Sequence, residues 1–478
     1  MQNNLFVKSV FAIIYRQVGI QGINIISSIF IARNASPAIY GIYGIVIFTT
    51  AFASLIVIGG FGASLIKAKT EPSKDEYDQV FTFQAILFIL IGLIICVSAP
   101  YLSKIYGFGV EGALMFILIG VSLSMSSLQS NIIIKLERHL KFNSIAHVEV
   151  LQAVVFQVFS MLLVYLKLGV ISFGIAFALR VISGILLSRR YITSNFGVNF
   201  GFTEVKKHFK FSFAFQLGSI INFAKDAIMP FYIGVYLGAY SLGLINWSHI
   251  LATYAVMIIM PISRLYLPFL SKHSDDLEYK KTFIKNIILV SYIVVGLLMS
   301  LTLPLIDSIV KLVYGSQWLG ALNLVYIFSI PNIMVVGIIP LIGYYNSKNL
   351  PSFSIFYLFS VALVTWIASV PLVRYYGTTG FAISNAISES ITIFFFIYAY
   401  FKDKINILPS IIRSFTLSIP TSIMVIFLRH LISPESVWNI LIIFALSTIF
   451  YFLIGLLMFR SKFIYIYRFF GRSAHKYV

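Results

Sequence analysis

The sequence predicts an all-α integral membrane protein of about fourteen transmembrane helices, in two six-helix lobes plus two C-terminal helices, with both termini cytoplasmic. Composition is the first observation behind that reading. Of 478 residues, 59% are hydrophobic and 11% charged, against about 25% charged in soluble domains, and mean hydropathy is +0.94. Run length is the second: apolar stretches of roughly 18 to 28 residues recur from end to end, each able to cross about 30 Å of hydrocarbon. The third is continuity. Ala85 to Ile95 contains no polar residue, whereas a membrane barrel strand alternates apolar and polar positions.

Taken in order, the expected helices run from Val10 to Ala32, Ile39 to Ile66, Val80 to Leu102, Ala113 to Ile134, Ile145 to Leu166, Val170 to Leu187 and Phe211 to Leu237. The remainder run from Leu242 to Leu267, Phe283 to Val310, Leu319 to Tyr344, Phe353 to Val373, Phe381 to Phe401, Ile411 to Leu428 and Trp438 to Met458. Arg16, Gln17 and Gln21 interrupt the first apolar stretch and no small-x-small cleavage site follows, so a retained helix is expected rather than a signal peptide. The single cysteine, Cys96, excludes an intramolecular disulfide and reads as a small packing residue.

Basic residues set the expected orientation. About 25 of the 35 Lys and Arg residues lie at the N-terminus, in loops after even-numbered helices and in the tail, including Lys135, Arg138, Lys141, Arg189, Arg190, Lys206, Lys207, Arg460 and Arg468. The opposite loops carry Arg33, Lys104, Lys167, Lys311, Arg374 and Arg429. Basic short loops resist translocation, so the crowded side is cytoplasmic. Much of the +19 net charge then serves topology and attraction to anionic head groups, not nucleic-acid binding.

Internal repetition suggests duplication. Arg33 to Tyr43, before and into helix two, parallels Val235 to Ile245, before and into helix eight, with Gly41 over Gly243, and Gly174-Ile-Ala-Phe-Ala178 at helix six parallels Gly380-Phe-Ala-Ile-Ser384 at helix twelve. The expected organisation is an N-lobe at 1–200, a C-lobe at 201–402, and two helices with a basic cytoplasmic tail at 403–478. The link around Phe202 to Lys210 is expected to lie partly along the cytoplasmic interface.

Two stretches carry a family resemblance: Ile31-Ala-Arg-Asn-Ala-Ser-Pro-Ala-Ile-Tyr-Gly-Ile-Tyr-Gly44 and Phe52-Ala-Ser-Leu-Ile-Val-Ile-Gly-Gly-Phe-Gly-Ala-Ser-Leu-Ile66. They resemble the amino-terminal pattern of the polysaccharide transporter family, which contains O-antigen flippases, within the multidrug/oligosaccharidyl-lipid/polysaccharide exporter superfamily. The resemblance implies a transporter in a bacterial inner membrane that flips an undecaprenyl-pyrophosphate-linked oligosaccharide to the outer leaflet. It leaves room for other polysaccharide-assembly membrane proteins as partners. A cation-coupled drug exporter or a lipid II flippase of the same superfamily remains the alternative.

Ionisable groups inside a membrane cost roughly 2.5 to 3.5 kcal/mol each at a helix centre, so they face a cavity or a partner. Here they are Arg16, Glu149, Arg180, Lys225, Asp226, Arg264 and Glu389. Polar seams at helical spacing accompany them: Gln17, Gln21, Asn24 and Ser28 in helix one, Ser219, Asn222 and Asp226 in seven, Asn246, His249 and Thr253 in eight, and Asn385, Ser388, Glu389 and Thr392 in twelve. A substrate cavity is therefore expected from Arg16, Gln17, Gln21, Asn24, Arg180, Asn222, Lys225, Asn246, His249, Arg264 and Asn385. Amides and hydroxyls also knit transmembrane helices together without any substrate, and Arg264 near a helix end is able to snorkel. Arg provides a planar fork for phosphate and Lys a point charge, which suits a pyrophosphate head group.

Asp226 and Glu389 are candidates for proton or sodium coupling. No metal site or cofactor is expected, because the seven histidines are scattered. Gly59-Gly60-Phe61-Gly62 lacks the following Lys and the preceding strand of a nucleotide loop. Outward loops of about ten residues or fewer leave no room for the catalytic loop of a membrane polymerase. The prolines Pro230, Pro261, Pro304, Pro331, Pro340 and Pro420 mark either static bends or hinges.

Overall fold

A computed structural model describes residues 19–67, 71–139, 141–191, 197–260, 266, 270, 277–348 and 350–475; at 50, 52–63, 66–67, 210–216, 218 and 461–475 it describes backbone only. Arg16, Gln17 and Arg264 lie outside the described residues. The described residues are mostly helical, with no strand among them. Ten helices among them are long and apolar enough to cross a membrane, so the chain is a multi-pass membrane protein. Two compact units divide it, residues 1–246 and 247–478.

In the first unit, helix α1 covers residues 19–34 and α2 covers Pro37–Lys67. Pro37 takes the first helical position, where its fixed φ suits the turn and its missing N–H is not needed, and the Ser36 hydroxyl accepts from the Ile39 N–H at 3.4 Å. Helix α3, Lys74–Tyr106, opens with a capping box: Ser73 accepts from the Glu76 N–H, and Asp75 and Glu76 occupy the positive first turn. It folds back into α4, Gly109–Arg138. These two pack backbone to backbone where Gly92 meets Gly120: a Cβ on either would fall onto the other's carbonyl oxygen. Helices α5, Phe142–Tyr165, and α6, Ile171–Tyr191, complete the group.

Helix α7 departs from expectation. It starts at Thr203 rather than Phe211 and stops at Asp226, and Met229–Ile233 follow as a wider π turn. Pro230 has no N–H to continue the α pattern, and its carbonyl accepts from the Tyr106 hydroxyl at 2.8 Å. Helix α8, Gly234–Met257, turns sharply at Gly238, whose φ of 80° and ψ of 171° only glycine adopts cheaply. Beyond that turn α8 crosses α2 at repeat-related glycines. A Cβ on Gly41 would lie 2.9 Å from the Gly243 nitrogen, and one on Gly243 would lie 3.1 Å from the Gly41 nitrogen. Gly41 and Gly243 therefore touch one another, each leaving room for the other's backbone.

The second unit begins within α8 and continues with α9, Leu277–Thr302. The single span expected to Val310 instead tightens at Leu303–Leu305, where Pro304 interrupts the bonding, and winds through π and 3-10 turns around Gly315 to Ala321. Helix α10 is Leu322–Ser347. Helix α11, Pro351–Ser390, reverses at Gly377, with φ 57° and ψ −131°, and α12 completes the returning arm at Thr392–Asp403. Helix α13 is Leu408–Leu431. Helix α14, Val437–His475, runs past the expected end at Met458, bending at Phe459. Pro331 and Pro340 lie inside α10 without breaking it. An aromatic core fills this unit, with Tyr266, Tyr292, Tyr344, Tyr345, Tyr357 and Phe395 all buried.

Candidate functional site

In the first unit the structure gathers polar groups around a residue the seams did not include, Gln157 of α5. Its amide oxygen accepts from Ser27 Oγ at 2.6 Å and from the Tyr43 hydroxyl at 3.0 Å, while its nitrogen donates to Asn24 Oδ1 at 2.7 Å. One buried amide thus joins α1, α2 and α5. Asn24 is half-buried, and the helix-one seam continues through Ser28, which shares a 2.8 Å hydrogen bond with Tyr40. A second amide pair lies deeper. Gln129 of α4 and Gln152 of α5 bond each other reciprocally at 3.1 and 3.0 Å, and Gln152 also donates to the Arg180 carbonyl. Gly184 of α6 makes room for this pair, since a Cβ there would strike the Gln152 amide.

Arg180 itself projects from α6 between two rings, its guanidinium carbon 5.9 Å from the centroids of both Phe156 and Phe177. Phe156 in turn stacks on Tyr43, which ties the cation to the Gln157 hub. Glu149 and Tyr43 act on its charge electrostatically, but among the described residues no carboxylate lies within ion-pair distance. Cation–π contacts of this kind contribute about 0.5 to 2 kcal/mol. They place aromatic rings near the guanidinium, whose N–H fork is the kind of group that binds a planar phosphate or carboxylate in bidentate fashion.

The other sequence candidates are distributed differently. Half-buried Gln21 sits on α1, and Asn222 is exposed on α7. As neighbours in sequence, Lys225 and Asp226 leave the helix about 100° apart. They nonetheless form an ion pair, at 3.8 Å, because the long lysine stem reaches around to the half-exposed carboxylate. Asn246 lies with its amide in the space that Gly44 leaves empty; a Cβ on Gly44 would fall onto it. That makes Asn246 part of the α2–α8 crossing.

In the second unit, His249 packs edge-on against Phe328 at 5.2 Å. Asn385 is half-buried and its carbonyl accepts from Ser388. Glu389 is buried and accepts from the Tyr357 hydroxyl at 2.9 Å. Asn24 and Arg180 are therefore brought together in the first unit through Gln157, Tyr43 and Phe156, while Glu389 gains Tyr357 as its partner in the second. No group of three or more His, Cys, Asp or Glu suited to a metal ion occurs among the described residues. Gln129, Gln152 and Gln157 were open to detection as amides inside apolar runs, by the same reasoning that singled out Gln21.

The profile of polysaccharide biosynthesis proteins matches residues 30–323. The chain belongs to that family. It is 24% identical over 294 residues to the teichuronic acid biosynthesis protein TuaB of Bacillus subtilis strain 168, which is 60% of either chain. Over 118 residues, 24% of either chain, it is 36% identical to an uncharacterized membrane protein in the cps region of Klebsiella pneumoniae. The alignments thus span 60% and 24% of these curated relatives' own length. Among solved structures, a lipid II flippase MurJ in its inward closed conformation matches with a TM-score of 0.75 at 14% identity, covering 95% of this chain and 99% of that one. An inward-facing multidrug resistance MATE transporter of the MOP superfamily matches at 0.57 and 13% identity, covering 82% and 95%. The chain shares the fold of these two structures. The family is thus given by the profile, and the flippase and exporter structures speak for the fold.

Proposed function

We propose that the protein flips a polyprenyl-pyrophosphate-linked oligosaccharide, a unit of a surface polysaccharide, from the inner to the outer leaflet of a bacterial inner membrane by alternating access. The observation that carries this reading is Arg180, a cation inside a membrane-spanning helix, with two phenylalanine rings beside it and no carboxylate at ion-pair distance among the described residues. Glu149 acts on this charge from beyond ion-pair distance, a buried cation without a close counter-ion is costly, and a pyrophosphate supplies one. Gln21 and Asn24 on α1, with Arg16 and Gln17 before them, suit the sugar hydroxyls, and the lipid tail stays in the bilayer. Further cavity positions in this reading are Asn222, Lys225, Asn246, His249, Arg264 and Asn385.

The topology that goes with it has fourteen spans, cytoplasmic termini, lobes at 1–200 and 201–402 and a terminal pair at 403–478. Outward movement of an anion gains about 2.3 kcal/mol per charge per 100 mV, inside negative. Buried Glu389, with Tyr357 as donor, and Asp226 are the sites for a coupling proton or sodium ion.

The deciding experiment follows lipid-linked glycan on the cytoplasmic leaflet of cells lacking the protein. Wild type clears the accumulated intermediate; Arg180→Gln, expressed to the same level, does so roughly 10- to 100-fold more slowly, the loss of one charge-assisted hydrogen bond worth about 1.5 to 3 kcal/mol. Arg180→Lys restores charge without the fork and falls between. Absence of accumulation in the deletion strain, with altered resistance to cationic drugs, would exclude the flippase reading.

A further inference from the structure

The segment between α6 and α7 is built like an edge with two different sides. Its inner side is used up by α3: the Gly197 N–H donates to Asp78 Oδ1 at 2.9 Å, the Asn199 N–H to Thr82 Oγ1 at 2.9 Å, and the Glu204 N–H to Gln79 Oε1 at 3.0 Å. Alternate residues point the other way. Val198 and Phe200 are each 69% exposed, two large apolar side chains where a water-facing loop would carry polar ones, while Phe202, 57% exposed, meets the Phe83 ring of α3 edge to face at 6.3 Å.

The same two-sidedness continues into the first turns of α7. Val205 is buried among Leu65, Tyr77, Val80 and Ile134, and His208 bonds Glu76 at 2.7 Å. The outer face presents Lys206, Lys207 and Phe209. Exposed Arg189 and Arg190 close α6 just before the segment.

The level of this strap relative to the bilayer follows from α3. Its 33 residues at about 1.5 Å per residue make about 50 Å, against about 30 Å of hydrocarbon, so roughly two turns at each end lie among head groups. Asp78, Gln79 and Thr82, which hold the strap, belong to the first turns of α3. An apolar row with aromatics, flanked by exposed cations and fixed at head-group depth, matches the chemistry of one partner, the charged lipid interface.

We propose that residues 198–209 are a lipid-docking strap, with Val198 and Phe200 entering the head-group boundary, Phe202 at its edge against Phe83, and Lys206 and Lys207 contacting anionic lipid. The docking does not depend on what the protein transports. Through the bonds to Asp78, Gln79 and Thr82 it ties the entry of α7 to the lipid surface and to α3 together.

The test uses full-length protein with Cys96→Ala, carrying a nitroxide at Phe200→Cys, or at Asp75→Cys as the exposed reference, in vesicles of phosphatidylcholine with or without phosphatidylglycerol. With phosphatidylglycerol present, the label at 200 is relaxed mainly by oxygen and the label at 75 mainly by a water-soluble nickel chelate. Reversing Lys206 and Lys207 to Glu shifts the label at 200 toward water in phosphatidylglycerol vesicles and leaves it unchanged in phosphatidylcholine alone, as expected for charges worth about fivefold each in partitioning onto an anionic surface. Water-like relaxation at 200 in every vesicle overturns the proposal and leaves the apolar row to a protein partner. A buried label that ignores both phosphatidylglycerol and charge reversal overturns the anionic-lipid contact.

Discussion

Replacing Gln157 with leucine removes the one side chain that bonds Asn24, Ser27 and Tyr43 at once, at 2.7, 2.6 and 3.0 Å. Volume changes little, so the effect is one of hydrogen bonds rather than of a cavity. Interhelical hydrogen bonds in membranes average about 0.6 kcal/mol and reach about 1.7, so three amount to roughly 2 kcal/mol, with about 5 as the ceiling. The upper part of that range is favoured at Ser27, which is wholly buried and has no water to turn to. The first unit contains 246 residues, a size at which roughly 2 to 4 °C accompany each kcal/mol. Gln157→Leu is therefore expected to lower the apparent melting temperature of the purified protein by roughly 4 to 8 °C. The lipid-facing neighbour Val158→Leu serves as the control, Val158 being largely exposed. A Gln157→Leu protein that melts with wild type would refute the hub. If it melts early but clears lipid-linked glycan normally per folded molecule, the hub is knitting and the substrate contacts lie elsewhere.

Gly243→Ala places a methyl against the Pro37 carbonyl group and 3.1 Å from the Gly41 nitrogen. Backbone cannot swing aside as a side chain can, so the cost is expected in the upper part of the usual 1 to 3 kcal/mol for overpacking, read as a lowered melting temperature. Arg429→Lys trades a two-pronged contact with Asp307, 2.5 and 3.0 Å, for a single one. Both side chains are about a third exposed, so thermal unfolding should register no more than about 1 kcal/mol. At the α3 entrance, the Arg138 guanidinium holds the Glu71 carboxyl below its usual range. A depressed carboxyl stabilises above its ordinary value and loses that contribution as pH falls through the depressed one. Hydrogen exchange in the loop before α3 should therefore speed up below the usual carboxylate range in wild type, while Glu71→Gln shows the faster exchange already at pH 7.

At the α2–α8 crossing a similarity within the sequence coincides with a contact in three dimensions. The repeat in the sequence aligns Gly41 with Gly243, and the structure sets those two residues in contact. Asn246 beside them reads in sequence as part of a polar seam together with His249. In the structure its amide occupies the space over Gly44, and His249 packs on Phe328. A helical seam specifies a face; it does not specify what that face meets.

Composition, run length and continuity were sufficient for the helical membrane class, because satisfying every backbone group inside hydrocarbon leaves helices as the only structure compatible with unbroken apolar runs. The turns near Gly238 and Gly377 were legible too, since apolar runs end beside residues that tolerate positive φ. So were the intramembrane charges Arg180 and Glu389, conspicuous by their cost alone. Their partners were not legible. The phenylalanines around Arg180 are indistinguishable in sequence from the many others that face lipid, and Tyr357, which donates to Glu389, lies 32 positions away. Nor did the sequence show that Pro230 would open a π turn held by Tyr106, or that Lys225 would reach Asp226. Periodicity determines which residues share a helix face; only the packing of one helix on another decides which of them meet.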